Sequence, residues 1–264
     1  MLPFASNDPR LACPGEIFAS LEGADSKDAL STFLDAAGAR RHPADSDFVA
    51  AAGVRLIGVG GMPFVRAPDG GFALACAPDS SISAEGLRRS GNAMIGYGGM
   101  MSYLNPQHRS AEDMFALLAE RGETSAAHMI SVNLLVAGVS VGVENEFNGQ
   151  RDLIHLARIT VARSLAQGNP PLVVRDASLL PAYRRILDAV RAERSAMDGK
   201  GRDFQENANL LFPAAKATGF ILSGTLRSFQ KLFAGIDDLG KESEYRAVLS
   251  EGKRLLGSIW PFLA

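Results

Sequence analysis

Cysteine is nearly absent from this chain: Cys13 and Cys76 are the only two among 264 residues. They form no CxxC pair and no histidines cluster beside them, so neither a disulfide framework nor a zinc site is supported, and reduced cytoplasm is the expected compartment. Charge of one sign is missing too. Against 27 Lys and Arg stand 29 Asp and Glu, for a net charge of −2, whereas nucleic-acid binders carry a basic excess or a concentrated basic face. Nucleic acid is therefore not the expected partner. No apolar run approaches the length of a membrane span, and the start MLPFASNDPRLACPGE lacks a basic stretch followed by an apolar one, so neither insertion nor export is expected. The chain also lacks GxSxG, GxxxxGK[ST] and HExxH, which removes the hydrolase, P-loop and zincin readings. The acidic group Asp237, Asp238, Glu242 and Glu244 has no second cluster near it. Acidic residues at a helix start are explained by the helix dipole, so no metal is expected.

What is present is a globular composition, 47% hydrophobic and 21% charged. The expected organisation is an extension over residues 1–50 and one domain over 51–264. Spacing predicts a helix from Ser26 to Ala37, closing near Gly38. From Val54 to Pro78, short apolar runs are split by GVGG and PDGG, as in a hairpin or small sheet. A dinucleotide fingerprint needs a helix directly after its glycines, and Met62 and Pro63 lead instead into another extended run, so GVGG reads as a turn. Ser110 and Asp113 form a capping box for a helix carrying Met114, Leu117 and Leu118 on one face and ending near Gly122. HMISVNLLVAG, residues 128–138, reads as a buried strand, although periodicity alone does not exclude helix. Three amphipathic helices follow, marked by Leu179, Leu180, Tyr183, Ile186, Leu187 and Val190, by Leu226, Phe229, Leu232 and Phe233, and by Tyr245, Val248, Leu249, Leu255, Leu256 and Ile259. The expected fold class is mixed α/β (α+β), a small β-sheet packed by long helices.

Chemistry-bearing groups are few. Read as a helix, residues 151–160 place Arg151, His155 and Arg158 at i, i+4 and i+7, one basic face suited to a phosphate or simply to solvent. His128, at the head of an apolar run, reads as a structural histidine. In QENANLLFPAAK, Pro213 interrupts a helix.

Five segments, taken in order, carry a resemblance. They are ISAEGLRRSGNAMIGYG (82–98), ERGETSAAH (120–128, with Gly122, Ser125 and His128), LLVAGVSVGVENEFNGQRDLIHLARITVAR (134–163), ENANLLFP (206–213) and GTLRSFQKLFAGIDDLGKESEYR (224–246). Together they resemble the flavin-dependent thymidylate synthase family, enzymes that methylate dUMP using methylenetetrahydrofolate, FAD and NADPH. The resemblance spans about residues 82–262. It implies flavin contacts from His128, Gln150, Arg151 and Thr225. It also implies nucleotide contacts from Arg151, Arg158, Thr160, Arg163 and Asn209, and a homotetramer with sites built between subunits.

The departures are specific. The family's Arg-His-Arg falls on Gly149, Gln150 and Arg151, so only the last arginine survives. The arginine of Glu-x-Ala-Arg falls on Asn209, and that of the late helix on Ile236, with Gly240 where a histidine is usual. An arginine clamp is not replaced by Gly, Asn or Ile without loss of charge-assisted hydrogen bonds. The resemblance thus implies a divergent flavin-dependent one-carbon transferase, acting on a pyrimidine nucleotide or related heterocycle and inefficient on dUMP. The alternative is a non-catalytic homologue that keeps the scaffold as a binding or assembly module. The family's chemistry uses no protein nucleophile that a sequence would reveal, so no catalytic residue is named.

Overall fold

The computed structural model describes residues 10–21, 28–66, 72–74, 83–103, 110–123, 125–150, 153–158, 170–197, 211–238 and 240–263. In chain order its elements are α1 (Pro14–Ala19), α2 (Ala29–Ala36), β1 (Arg40–His42), β2 (Asp45–Ala51), β3 (Gly53–Gly60), β4 (Phe64–Arg66), β5 (Phe72–Leu74), α3 (Ala84–Tyr103), α4 (Ala111–Glu120), a 3-10 turn (Ser125–Met129), β6 (Ser131–Ser140), α5 (Val141–Asn148), β7 (His155–Arg158), β8 (Leu172–Val173), α6 (Leu180–Ser195), β9 (Ala217–Thr225), α7 (Leu226–Phe233) and α8 (Ser243–Ile259).

The central sheet has the order β3-β6-β9-β7, antiparallel throughout. Strand β6 is apolar over most of its length because both its faces are covered. On one face Val132, Leu134 and Val136 meet Phe220, Leu222, Phe229, Leu232, Leu256 and Trp260, the main core, roofed by α3, α5, α7 and α8. On the other, Leu135 and Ala137 meet Ile17, Phe33 and Leu34 from α1 and α2. A β-bulge between Ala137 and Val139 bends β6. Its extra residue, Gly138, holds φ 77° with the position of a Cβ only 2.6 Å from the Ala39 Cβ, a place only glycine fills without strain. A second sheet, β1-β2-β8, packs Phe48 and Leu172 against Leu187 of α6. There the Arg184 guanidinium lies 5.0 Å over the Phe48 ring and pairs with Asp45 and Asp47.

Local signals account for many of these elements. Ser110 and Asp113 close the capping box of α4 reciprocally. Strands β4 and β5 form the hairpin around PDGG. No helix follows GVGG: the chain leaves β3 at Gly61, where φ is 77° and a Cβ would sit 1.8 Å from the Met129 carbonyl oxygen. The apolar stripes of α7 and α8 are buried residue for residue. In α6, Leu187 is buried and Leu180, Tyr183 and Val190 pack beside it, but Leu179 and Ile186 are exposed. The three-stranded sheet covers a narrow stripe of that helix, not the wider face expected. No helix among the described residues is long and apolar enough to cross a membrane.

Over residues 153–158, the described part of the helix read at 151–160, no helix forms. His155–Arg158 is strand β7, paired antiparallel with β9 so that Leu156 lies opposite Leu222 and His155 opposite Ser223. Helix α5 stops at Asn148, with Gly149 as its C-cap. Positions three apart in a strand fall on opposite faces, so His155 and Arg158 do not share the one face expected of them, and Arg151 lies outside the described residues.

Candidate functional site

The end of the sheet where β9 passes into α7 gathers the first site residues. Thr225 is the N-cap of α7: its Oγ1 accepts the Ser228 N–H at 3.1 Å and meets the Ser228 hydroxyl at 3.0 Å. The same oxygen lies 3.3 Å from His128 Nδ1. The two are brought together because β6 starts directly after the 3-10 turn and its Ser131 pairs with Thr225, while the Leu226 N–H donates to the Ile130 carbonyl at 2.9 Å. The His128 ring is exposed. One nitrogen is tethered, and Nε2 has no partner among the described residues.

Gln150 lies at the same end. Its N–H donates to the Phe147 carbonyl, and its own carbonyl accepts from Leu153 and Ile154, turning the chain from α5 toward β7. Ile154 then packs so close to Gly224, next to Thr225, that a Cβ there would meet its Cγ2 at 3.1 Å. Gly149 has φ −69° and ψ −14°, a conformation open to any residue. Arg158 has its backbone in β7 opposite Phe220. Arg151, Thr160, Arg163 and Asn209 lie outside the described residues. Ile236 is half-buried and packs on the apolar core, so that position offers no cation.

A polar patch that the sequence reading did not single out completes this end. Across the face that α1 and α2 cover elsewhere, Asn133, Ser223 and His155 stand in one row and Ser131 and Thr225 in the next. The Ser223 hydroxyl donates to Asn133 Oδ1. Gly58 and Gly60 continue the two rows on β3, where a Cβ would crowd Asn133 Nδ2 at 3.0 Å and Ser131 Oγ at 2.5 Å. Ser131 and His155 are exposed and Asn133, Ser223 and Thr225 half-buried. The available signal was a polar residue at alternate positions of otherwise apolar strands, in ISVNLL and FILSGT, which breaks the pattern of a fully covered face.

Two further groups flank the crossing of α5 and α8, where the Phe147 and Tyr245 rings are 4.5 Å apart. Glu146 Oε2 and Arg246 Nε are buried without hydrogen-bond partners among the described residues. Buried polar atoms are rarely left so. Burial, with the Glu146 charge adding, pushes the Tyr245 hydroxyl up to about 12. Arg246 closes the last of the five segments that carried the resemblance. At the far end of the sheet, Glu144 is 1% exposed and accepts the Thr218 hydroxyl at 3.0 Å. Lys216 is 5% exposed, and burial pulls its amine down to about 8, with the charge of Glu144 partly opposing. The Glu244 carboxylate accepts the Ser140 N–H at 2.7 Å, yet burial raises its pKa. Among the described residues no group of three or more His, Cys, Asp or Glu is arranged to hold a metal ion.

No family model matches the chain, and no curated protein matches it in sequence. Solved structures do match its fold. The flavin-dependent thymidylate synthase ThyX from Helicobacter pylori, complexed with FAD and dUMP, is similar with a TM-score of 0.55 at 15% identity, over 65% of this chain and 92% of that one. A second structure of that enzyme with FAD and dUMP gives 0.54 at 17% identity, over 64% and 90%. The UMP/dUMP methylase PolB from Streptomyces cacaoi, bound with 5-Br UMP, gives 0.54 at 10% identity, over 85% and 95%. At these identities what is shared is the fold: a mixed α/β architecture like that of flavin-dependent thymidylate synthase.

Proposed function

We propose that this chain is a flavin-dependent enzyme that transfers a one-carbon unit to a pyrimidine nucleotide or related heterocycle, with little activity on dUMP. The observation that carries the reading is the His128–Thr225 pair at the junction of β9 and α7. An exposed imidazole, tethered through one nitrogen and unpartnered at the other, is suited to hydrogen-bond or stack on a heteroaromatic ring. On this fold, whose solved examples include complexes with FAD, dUMP and 5-Br UMP, FAD fits that position. When bound it supplies the electron transfer, with NADPH as reductant and methylenetetrahydrofolate as one-carbon donor.

The chain's own residues bind and orient. His128, Gln150, Arg151 and Thr225 hold the flavin side. Arg151, Arg158, Thr160, Arg163 and Asn209 hold the nucleotide, the arginines taking its phosphate. Sites built between subunits imply a homotetramer, and a nucleotide enzyme with two cysteines in all belongs in the cytoplasm. Poor use of dUMP follows from subtraction. Gly149 and Gln150 stand where the family has a cation and a histidine on the flavin side, and Asn209 and Ile236 stand where it has two cations on the nucleotide side, Ile236 presenting an apolar wall. Each charge-assisted hydrogen bond lost is worth about 1.5–3 kcal/mol, so two cost orders of magnitude in affinity.

The same replacements favour a second reading, a non-catalytic homologue that binds or assembles. An assay with FAD, NADPH and methylenetetrahydrofolate, offering dUMP and UMP to the native chain and to a Gly149→Arg, Gln150→His, Ile236→Arg variant, tests the proposal. Turnover of UMP or another pyrimidine nucleotide above that of dUMP, with dUMP turnover gained in the variant, is expected. Robust dUMP turnover by the native chain contradicts it, and no turnover by either protein on any pyrimidine nucleotide favours the binding module.

A further inference from the structure

Between the last turn of α7 and the outer side of α8 the surface opens into a groove of about 500 Å3, with Phe233, Ile236 and Gly257 as its apolar lining and Asp237, Lys253 and Arg254 as its charged one. Ser250 and Ser258 also line it, but their protons are already committed. The Ser250 hydroxyl donates to the Arg246 carbonyl at 2.8 Å, and that of Ser258 to the Leu255 carbonyl at 2.7 Å. Donors to a guest must therefore come from the cations. Lys253 is half-buried and has no ion-pair partner among the described residues. Arg254 holds Glu251 through Nε at 2.9 Å and Nη2 at 2.6 Å, which leaves Nη1 open.

The surroundings strengthen this charge. Arg10 reaches the rim, its Nη1 donating to Ser258 Oγ at 2.9 Å. The Glu251 carboxyl is held below the usual carboxylate range by its Arg254 hydrogen bonds, with Arg55 and Arg40 adding from further off. Lys253 and Arg254 thus line the groove beside Asp237, and Arg40 and Arg55 act on the neighbouring Glu251, a local positive balance on a chain whose net charge is −2. Such a balance raises the local concentration of anions and speeds their arrival.

We propose that this groove is a binding site for a small organic anion, a phosphate or carboxylate held by Lys253 and Arg254 with its apolar body against Phe233, Ile236 and Gly257. The groove shares Ile236 with the wall assigned above to the nucleotide side but holds none of the flavin-side residues, His128, Gln150, Arg151 and Thr225. Thr225 begins α7 and the groove closes its other end, about 12 Å away at 1.5 Å per residue.

Isothermal titration calorimetry on the full chain at low ionic strength tests it, with phenyl phosphate, benzoate, inorganic phosphate and benzyl alcohol as probes. Phenyl phosphate or benzoate should bind at least tenfold more tightly than inorganic phosphate and than benzyl alcohol, and the tighter of the two identifies the anion. A Lys253→Ala, Arg254→Ala variant should lose at least tenfold in that affinity. Arg185→Ala, an exposed cation on α6, should lose nothing. Arg254 is exposed and Lys253 half-buried, and melting curves matching the native protein's confirm that the fold is kept; Lys253→Met, which keeps the aliphatic stem, repeats the test if the double variant melts early. Aryl-anion binding no tighter than that of phosphate, unchanged in the groove variants, or weakened equally by Arg185→Ala overturns the proposal.

Discussion

Thr225 carries two loads at once, so truncating it has a calculable cost. Its hydroxyl caps α7 through the Ser228 N–H at 3.1 Å and steadies His128 at 3.3 Å. Replacing an N-cap Thr by Ala costs about 1 kcal/mol, within a range of roughly 0.5–2. The partly exposed contact to His128 adds about 0.5 kcal/mol, the low end for a neutral hydrogen bond. The total of about 1.5 kcal/mol lowers the melting temperature of a chain this size by roughly 3–6 °C, at about 2–4 °C per kcal/mol. Helix α7 buries Leu226, Phe229, Leu232 and Phe233 in the main core, so fraying of its first turn spreads to the site. Thermal melting followed by far-ultraviolet circular dichroism measures the loss. Thr225→Asn is the control, because asparagine caps at least as well as threonine and should melt within a degree or so of the native protein. An alanine variant that melts with the native protein, or an asparagine variant that falls as far as alanine, refutes the assignment of Thr225 as cap.

Two other perturbations follow from the fold. Gly138→Ala forces a Cβ to 2.6 Å from Ala39 at φ 77° and should destabilise by about 1–3 kcal/mol in urea titrations, the cost of a strained backbone position; an unchanged midpoint contradicts the bulge. The Lys216 amine is lowered by burial from 10.5 to about 8. The unfolded chain therefore binds more protons between those values, and stability rises with pH across that window. Urea midpoints at about pH 7.5 and about pH 9.5 should show that rise in the native protein and not in Lys216→Met, and an equal rise in both argues against the buried lysine.

Much of the fold was legible because its signals are local. A serine three residues before an aspartate set the start of α4, and apolar spacing at the helical period set the buried faces of α7 and α8. Strand β7 was misread because its conformation is dictated by a partner distant in sequence. His155–Arg158 is four residues long, too short for its own periodicity to decide, and becomes extended by pairing with Phe220–Ser223. In the candidate site, the resemblance named His128 and Thr225, which the sheet register brings together. The Asn133–Ser223 pairing was hidden for the same reason as β7: alternating polar residues mark each strand by itself, and only the register puts the two side by side. Glu146 and Arg246 lie on helices separated by almost a hundred positions, and that Glu146 Oε2 and Arg246 Nε find no partner among the described residues is a property of packing that no segment alone displays.

The central claim is that this end of the sheet holds a flavin. Titrating FAD into the full chain and following its fluorescence tests that claim most directly, beside a His128→Ala variant that removes an exposed ring and so leaves the core intact. Saturable quenching by the native chain is predicted, with affinity at least about fivefold lower in the variant, the loss of roughly 1 kcal/mol expected for one hydrogen-bonding contact. No binding by the native chain, or equal affinity in the two proteins, contradicts the account.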